Sequence, residues 1–315
     1  MSNLDYHTPV LLNEVLQFLD VKQGGIYVDC TLGGGGHFWA IASRLSEKGV
    51  MVGIDRDLEA VEHNRKRSAA AVKATTIISR GRFSDFDKVL DENGIECVDG
   101  FLLDLGVSSH QIDEPQRGFS YMLDSTLDMR MDSTAGITAR ELLLSSTREE
   151  LTHILECFGE IRNASRMARA LKDWLEHRSL DTSTDIRNCI ISEYGPNVKY
   201  KVLAKLFQAL RIAVNRELEE LTMFLHKSLG YLCAGGRLAV ISYHSLEDRA
   251  VKEFIVANEG KCICPRDLPV CVCDKPSLLK RVSRKAVVPK EEELKSNPRS
   301  RSARLRVASR TEQDA

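Results

Sequence analysis

Apolar positions recur at helical spacing through "HTPVLLNEVLQFL" (His7–Leu19). This pattern predicts an opening helix with Thr8 as its cap and Pro9 in its first turn. The period then changes. "GGIYVDCTL" (Gly24–Leu32), "VMVGID" (Val50–Asp55), "TTIIS" (Thr75–Ser79) and "VDGFLLDLGVSS" (Val98–Ser109) are short, β-branched apolar runs that read as strands. Helical patterns separate them: "HFWAIASRLSEKG", closed by Gly49 as C-cap, and "DLEAVEHNRKRSAAA". Strands alternating with helices predict a parallel sheet covered on both faces.

From Ile112 to Arg211 the alternation stops and only helical patterns and loops remain. The clearest are "TREELTHILECFGEIRNASRMARALKDWLEHRS" and "KVLAKLFQALRIAVNRELEELTMFLHKSLGYL"; the C-terminal half of the second is expected to pack back on the sheet. "GGRLAVISYHSLEDRAVKEFI" (Gly235–Ile255) then resumes the strand-helix order. The expected layout is one α/β domain formed by residues 1–111 and 212–315, interrupted by a helical insertion at 112–211. Near the end, "SARLRVASR" alternates like a closing edge strand with Leu305 and Val307 inward.

Composition narrows the class without naming it. The 315 residues are 43% hydrophobic and 28% charged, and 44 basic against 45 acidic side chains leave a net charge of -1. A nucleic-acid site would therefore be a local patch, and the Lys/Arg-rich tail from about Ser277 offers one. The N-terminus lacks the basic start of a secretory signal, and no apolar run approaches a membrane span, so a cytoplasmic protein without membrane contact is expected. The same reasoning expects all nine cysteines to be reduced. Cys30, Cys97, Cys157, Cys189 and Cys233 read as small buried thiols in apolar surroundings. Cys262, Cys264, Cys271 and Cys273 could hold a structural zinc, but their C-x-C pairs favour an ordinary reduced loop.

The chemistry concentrates where the first strand ends in four consecutive glycines, Gly33 to Gly36. Glycines between a strand and a helix commonly let a ligand approach the backbone. A phosphate loop needs Gly-Lys-Ser/Thr, whereas His37 and Phe38 follow here. A dinucleotide loop needs a third glycine where Phe38 stands, which weakens the pyrophosphate reading. S-adenosylmethionine carries no pyrophosphate and wants an acid for its ribose at the end of the second strand. Asp55 stands there, about twenty residues after the loop. A further acid, Asp104, ends the fourth strand; either acid could instead cap the following helix.

With these residues placed, the sequence resembles the 16S ribosomal RNA cytosine-N4 methyltransferases, the MraW family. The resemblance rests on "HTPVLLNEVL", "DCTLGGGGH", "GIDRD", "LLDLGVSS", "QRGFSYMLDSTLDMRMD", "FQALRIAVNRELEEL", "GGRLAVISYHSLEDR" and "NPRSRSARLRV", which span nearly the whole chain. It implies a Rossmann-like class I S-adenosylmethionine-dependent methyltransferase fold with an inserted helical substrate domain. The implied acceptor is a decoding-centre cytidine of 16S rRNA in the small ribosomal subunit. The implied cofactor contacts are Gly35, Gly36, His37, Asp55, Phe83, Asp104 and Gln111, with Phe83 packing on adenine or else simply in the core. Two positions depart from the family pattern: Lys205 replaces an arginine, losing its fork geometry, and Gln116 replaces an acid.

Transfer to the exocyclic N4 needs acceptors for its two N–H groups. Asp104 is the best candidate, with Ser108 and Ser109 as weaker ones that also suit a helix cap. Methylation at C5 would need a cysteine nucleophile, and the strand-four tip carries none. In "ISYHSLEDR", Tyr243 could stack on a flipped base, His244 could hydrogen-bond it or cap a helix, and Arg249 could hold a phosphate or pair with an acid. No resident metal is expected for the chemistry. A non-catalytic RNA-binding ribosome assembly factor and a nicotinamide-dependent oxidoreductase stay open as alternatives, as does a homodimer.

Overall fold

The computed structural model describes residues 9–67, 72–196, 200–260 and 276–312. It divides into two compact units: one formed by residues 1–106 and 218–315, the other by residues 107–217.

The first unit is built on a seven-stranded sheet in the order β3-β2-β1-β4-β5-β7-β6. The strands are β1 (Ile26–Asp29), β2 (Val50–Asp55), β3 (Thr75–Arg80), β4 (Val98–Asp104), β5 (Leu232–Ser242), β6 (Leu279–Arg281) and β7 (Arg304–Arg310). The first five run parallel, and β7 lies antiparallel between β5 and β6. The tail strand therefore buries Leu305 and Val307 inward, as its alternation implies, but it is not the edge; the short β6 covers it.

Each strand sends successive side chains to opposite faces, and both faces are apolar. Val28, Val52, Phe101, Leu103, Leu238 and Val240 join one core with α4 (Phe86–Glu92) and α11 (Glu217–Tyr231). Within it Phe86, Phe101 and Phe224 meet edge to face. Tyr27, Met51, Leu102, Ala239 and Ile241 join the other core with α1 (Leu12–Phe18) and α2 (Gly36–Ala42). The expected long helix running into α11 breaks at Arg216, whose φ of 53° is left-handed, and the part after the break returns to the sheet through Leu221, Phe224 and Leu225.

Several local expectations are corrected. The first helix starts at Leu12 with Leu11 as its cap, and Thr8 lies outside the described residues. Helix α2 ends at Ala42, not at Gly49, because Arg44 and Leu45 bond three residues back and tighten the chain out of the helix. The fourth strand stops at Asp104: Gly106 turns it with a φ of 95°, and Ser108 already caps the next helix. Cys97 and Cys233 are not reduced thiols but a disulfide. The parallel register that pairs Val98 with Leu232 sets the two cysteines side by side, 5.3 Å apart at Cα. Cys97 and Cys157 are also exposed, unlike the buried Cys30 and Cys189. Cys262, Cys264, Cys271 and Cys273 lie outside the described residues.

The second unit is helical: α5 (Ser109–Asp113), α6 (Ala139–Ser145), α7 (Arg148–Cys157), α8 (Ala164–His177), α9 (Ser183–Tyr194) and α10 (Tyr200–Asn215). Leu143, Leu151, Leu155, Met167, Leu171, Ile186, Leu206 and Leu210 form its core. Thr138, Thr147 and Thr182 each close a capping box at the start of α6, α7 and α9. The "QRGFS…LDMRMD" stretch is a latch inside this unit. The buried Arg117 donates to the carbonyls of Arg130 and Met131, while Asn215 bonds Met129 O and Met131 N. Gly118 is held at a φ of 77°, and a Cβ there would overlap Thr126 O. Lys205 donates to Glu160 O at 2.8 Å, capping a left-handed residue (φ 47°), and Gln116 O accepts from Thr126.

Candidate functional site

The C-terminal tips of β1, β2 and β4 stand side by side in the parallel sheet, so Asp29, Asp55 and Asp104 end neighbouring strands. Such tips are where open α/β sheets bind ligands. Asp29 was not singled out in the sequence, although it opens the glycine stretch. Its carboxylate accepts from Thr31 N at 3.1 Å, and Thr31 Oγ1 in turn accepts from Asp104 N at 2.6 Å. The turn after β1 is thus stitched to the end of β4.

Asp55 does not serve chiefly as a helix cap; Asp57 caps α3 (Leu58–Lys66) instead. Asp55 Oδ2 accepts from Gly33 N at 2.7 Å and its Oδ1 from Asp57 N at 2.9 Å. It pins the glycine loop to β2 and still has lone pairs for further donors.

Two of the four glycines, Gly35 and Gly36, are demanded by the protein's own packing. A Cβ at Gly35, whose φ is 78°, would overlap the Oδ1 of Asn64, and one at Gly36 would lie 2.9 Å from the Pro9 ring. Asn64, another residue that composition and spacing did not point to, is wholly buried. Its amide donates to Gly33 O at 2.8 Å and to Ala60 O at 2.9 Å, and its oxygen accepts from the Trp39 indole at 2.9 Å.

His37 sits in the first turn of α2, 5% exposed, with the Val10 backbone beside its ring. Its Nε2 is 3.7 Å from Asp104 Oδ2. Burial lowers its pKa from 6.5 to about 4, so the ring is neutral. Burial raises the acids instead. Asp29 is pushed up to about 7, chiefly by desolvation and then by repulsion from Asp104 and Asp55. Asp55 is also raised by burial. Asp104 is raised to about 7 by burial, against the hydrogen bond from Tyr243 that lowers it; its side chain nevertheless keeps 24% of its surface. Crowded, desolvated carboxylates beside a neutral imidazole suit a ligand that brings positive charge and donors.

The remaining candidates separate. Phe83 is buried in the core edge-on to Phe224, with the Arg56 guanidinium 5.8 Å from its ring centre. Tyr243 lies just past β5, and its hydroxyl donates to Asp104 Oδ1 at 2.8 Å. His244 is the N-cap of α12 (Ser245–Ala257) in a capping box with Glu247, as the structural alternative for it has it. Arg249 is exposed on α12. Ser108, Ser109 and Gln111 belong to the second unit: Ser108 caps α5, accepting from Gln111 N while its own N–H donates to Gln111 Oε1, and Ser109 is the first helical residue. In the tail, Arg304 and Arg306 face Asp248 and Arg281 faces Glu259, whereas Lys280, Arg284, Lys285 and Arg301 are exposed.

A sheet of five parallel strands extended by a reversed β7 between β5 and β6, with a glycine loop and acids at the tips of β1, β2 and β4, defines a class I methyltransferase. Residues 5–311 match the MraW methylase family, and the chain belongs to it. It is 45% identical over 304 residues to the ribosomal RNA small subunit methyltransferase H of Caldicellulosiruptor bescii, covering 96% of this chain and 98% of that one. It is 44% identical over 306 residues to the protein of the same description from Geobacter sp., with 96% and 97% covered. A third such relative, from Clostridioides difficile, is 40% identical over 306 residues, with 96% and 98% covered.

Proposed function

We propose that this protein methylates the exocyclic N4 of a cytidine in the decoding centre of 16S ribosomal RNA. The broader activity, methylation of ribosomal RNA with S-adenosylmethionine as donor, follows its family and its full-length relatives. Family membership sets aside the nicotinamide reading. Among the described residues no helix is long and apolar enough to cross a membrane.

The observation that carries the N4 assignment is Asp104. It is the acid at the tip of β4, its side chain keeps 24% of its surface, and its raised pKa suits it to accept a proton near neutrality. The amino nitrogen of cytosine is a weak nucleophile because its lone pair is delocalised into the ring. A carboxylate accepting from its N–H groups favours a pyramidal nitrogen. Cys30, which directly follows β1, is buried and its pKa is pushed well above the ordinary range by desolvation, so it offers no thiolate for attack on C5.

The bound cofactor supplies an activated methyl group, and the protein's part is to place the acceptor in line with it. The Gly33–Gly36 turn presents backbone to the cofactor, with Asp55 accepting from ribose hydroxyls. His37 and Asp104 face its charged amino-acid end. The helical unit, residues 107–217, is the part that recognises the RNA, and the exposed Lys280, Arg284, Lys285 and Arg301 add contacts to its phosphates.

The test is to incubate the protein with labelled S-adenosylmethionine and immature small subunits or their RNA, digest, and identify the nucleoside. N4-methylcytidine is expected. Label on a ring carbon or on another base overturns the assignment.

A further inference from the structure

We propose that Tyr243 is a positioning residue for methyl transfer: its phenol holds Oδ1 of Asp104 and leaves Oδ2 as the acceptor of the N4 proton. The inference rests on the reading of Asp104 given above and adds a second residue, with a definite division of labour between the two carboxylate oxygens.

Parallel pairing of β4 with β5 sets Asp104 against Ile241, so Tyr243 follows two residues beyond the tip and its ring returns over the end of β4. Its hydroxyl donates to Oδ1 at 2.8 Å. Its own backbone N–H donates to Glu247 Oε2 at 2.9 Å, which fixes the start of the turn. Gly106 lies alongside: a Cβ there would rest 3.6 Å from the tyrosine ring. A ring held at both its backbone and its hydroxyl keeps the carboxylate plane from rotating.

Oδ2 accepts no hydrogen bond from any described residue. Its polar neighbour, His37 Nε2, is 3.7 Å away, beyond good hydrogen-bond reach, and burial keeps that ring neutral. The imidazole therefore neither neutralises Oδ2 nor occupies it. As the new nitrogen–carbon bond forms, the electrons of the broken sulfur–carbon bond stay on sulfur and positive charge develops on N4. One of the two N4 protons passes to Oδ2, leaving a neutral methylamino group and a neutral carboxylic acid, which returns the proton to water. Ionised Asp104 is the form that works, so activity falls as pH drops through its pKa.

The titratable groups facing this carboxylate are Asp29 on β1, His37 on α2, Tyr243 after β5 and Glu247 on α12, and Tyr243 is faced in turn by Glu247 and Glu293. Burial raises the pKa of Asp104, the hydrogen bond from Tyr243 lowers it, and repulsion from Glu247 adds to the rise. Without the hydroxyl the acid limb must move to higher pH.

The experiment compares wild type and Tyr243→Phe in single turnover across pH, on immature small subunits with S-adenosylmethionine. Wild-type product identity comes first: a nucleoside other than N4-methylcytidine defeats the parent assignment whatever the variant does. With that product in hand, the acid limb of Tyr243→Phe should rise by roughly half to one pH unit, lowering kcat about five-fold near pH 6.5 with under two-fold change in the KM for S-adenosylmethionine. The two rates should converge above about pH 8.5. Site-specific 3-fluorotyrosine at position 243 leaves the ring in place, strengthens the donor, and should move the limb the other way; it serves equally if the phenylalanine variant is unstable. An unmoved limb in both variants, or an effect confined to the KM for RNA as base stacking would give, overturns the proposal.

Discussion

Trp39 donates its indole N–H to Asn64 Oδ1 at 2.9 Å, and the amide of the same asparagine holds Gly33 O and Ala60 O. One buried side chain on α3 therefore ties together the glycine turn, the first turns of α2 and its own helix. The turn is pre-shaped before any ligand arrives, which lowers the ordering cost of binding.

Asn64→Ala should therefore weaken both fold and cofactor affinity. It leaves the indole and the Gly33 carbonyl without partners, and each such buried loss is worth about 1–3 kcal/mol. A fall of roughly 2–4 kcal/mol in urea unfolding is expected, with adenosylhomocysteine binding about ten-fold weaker by calorimetry. Trp39→Phe removes one of these bonds and should have the smaller effect on affinity.

Gly35→Ala places a Cβ on Asn64 Oδ1 at a left-handed φ of 78°. Both penalties apply in the wild-type background. In Asn64→Ala the overlap with the asparagine disappears, while the approach to Trp39 Cδ1 at 2.8 Å and the left-handed penalty of about 1–2 kcal/mol remain. A double-mutant cycle should show coupling of at least about 1 kcal/mol. Strict additivity would mean that the asparagine is not what excludes the side chain.

In the helical unit, Asn215→Ala should cost about 2–4 kcal/mol, because it strips partners from Met129 O and Met131 N in a buried place. Gly118→Ala should cost as much or more, since its Cβ would meet backbone at Thr126 that has no freedom to yield. Limited proteolysis should show cleavage within residues 107–217 first in both variants.

Stability should respond to pH through the strand-tip groups. Asp29 and Asp104 go from 3.8 to about 7 on folding, so the folded state holds protons that the unfolded chain has released. Their contribution is complete below about pH 4 and is lost as pH rises through 7. His37 works oppositely: its pKa falls from 6.5 to about 4, so its burial penalises the fold below that window and ceases to do so as pH rises. Two acids outweigh one imidazole, and ligand-free protein should lose stability between about pH 4 and 7 by this route. Asp104→Asn removes one of the acids, and urea midpoints across that range should decline less steeply than in wild type. An unchanged slope would mean that Asp104 is already ionised in the fold.

Much of the site could be read from residue order. The strand that ends at Asp55, the strand that ends at Asp104 and the glycine stretch between a strand and a helix all follow local rules of periodicity and turn chemistry. Asn64 could not be found this way. It sits on a helix of ordinary charged composition, and nothing local marks it as the partner of Gly33 and Trp39, which lie 31 and 25 positions away. Asp29 was hidden by its position inside a β-branched run. Ser108 and Gln111, both expected at the site, also bond each other in the capping box that starts α5, a pairing their i, i+3 spacing makes possible.

By itself the sequence determined the alternation of strands and helices, its interruption by a helical stretch, and the family signatures, because these depend on neighbours along the chain. The tertiary structure decided what lies between distant residues. It set β7 inside the sheet, joined Cys97 to Cys233, placed Asn64 under the glycines and turned the Tyr243 hydroxyl onto Asp104. Those outcomes depend on sheet order and register, which pair segments tens to hundreds of positions apart and leave no periodic trace in the chain.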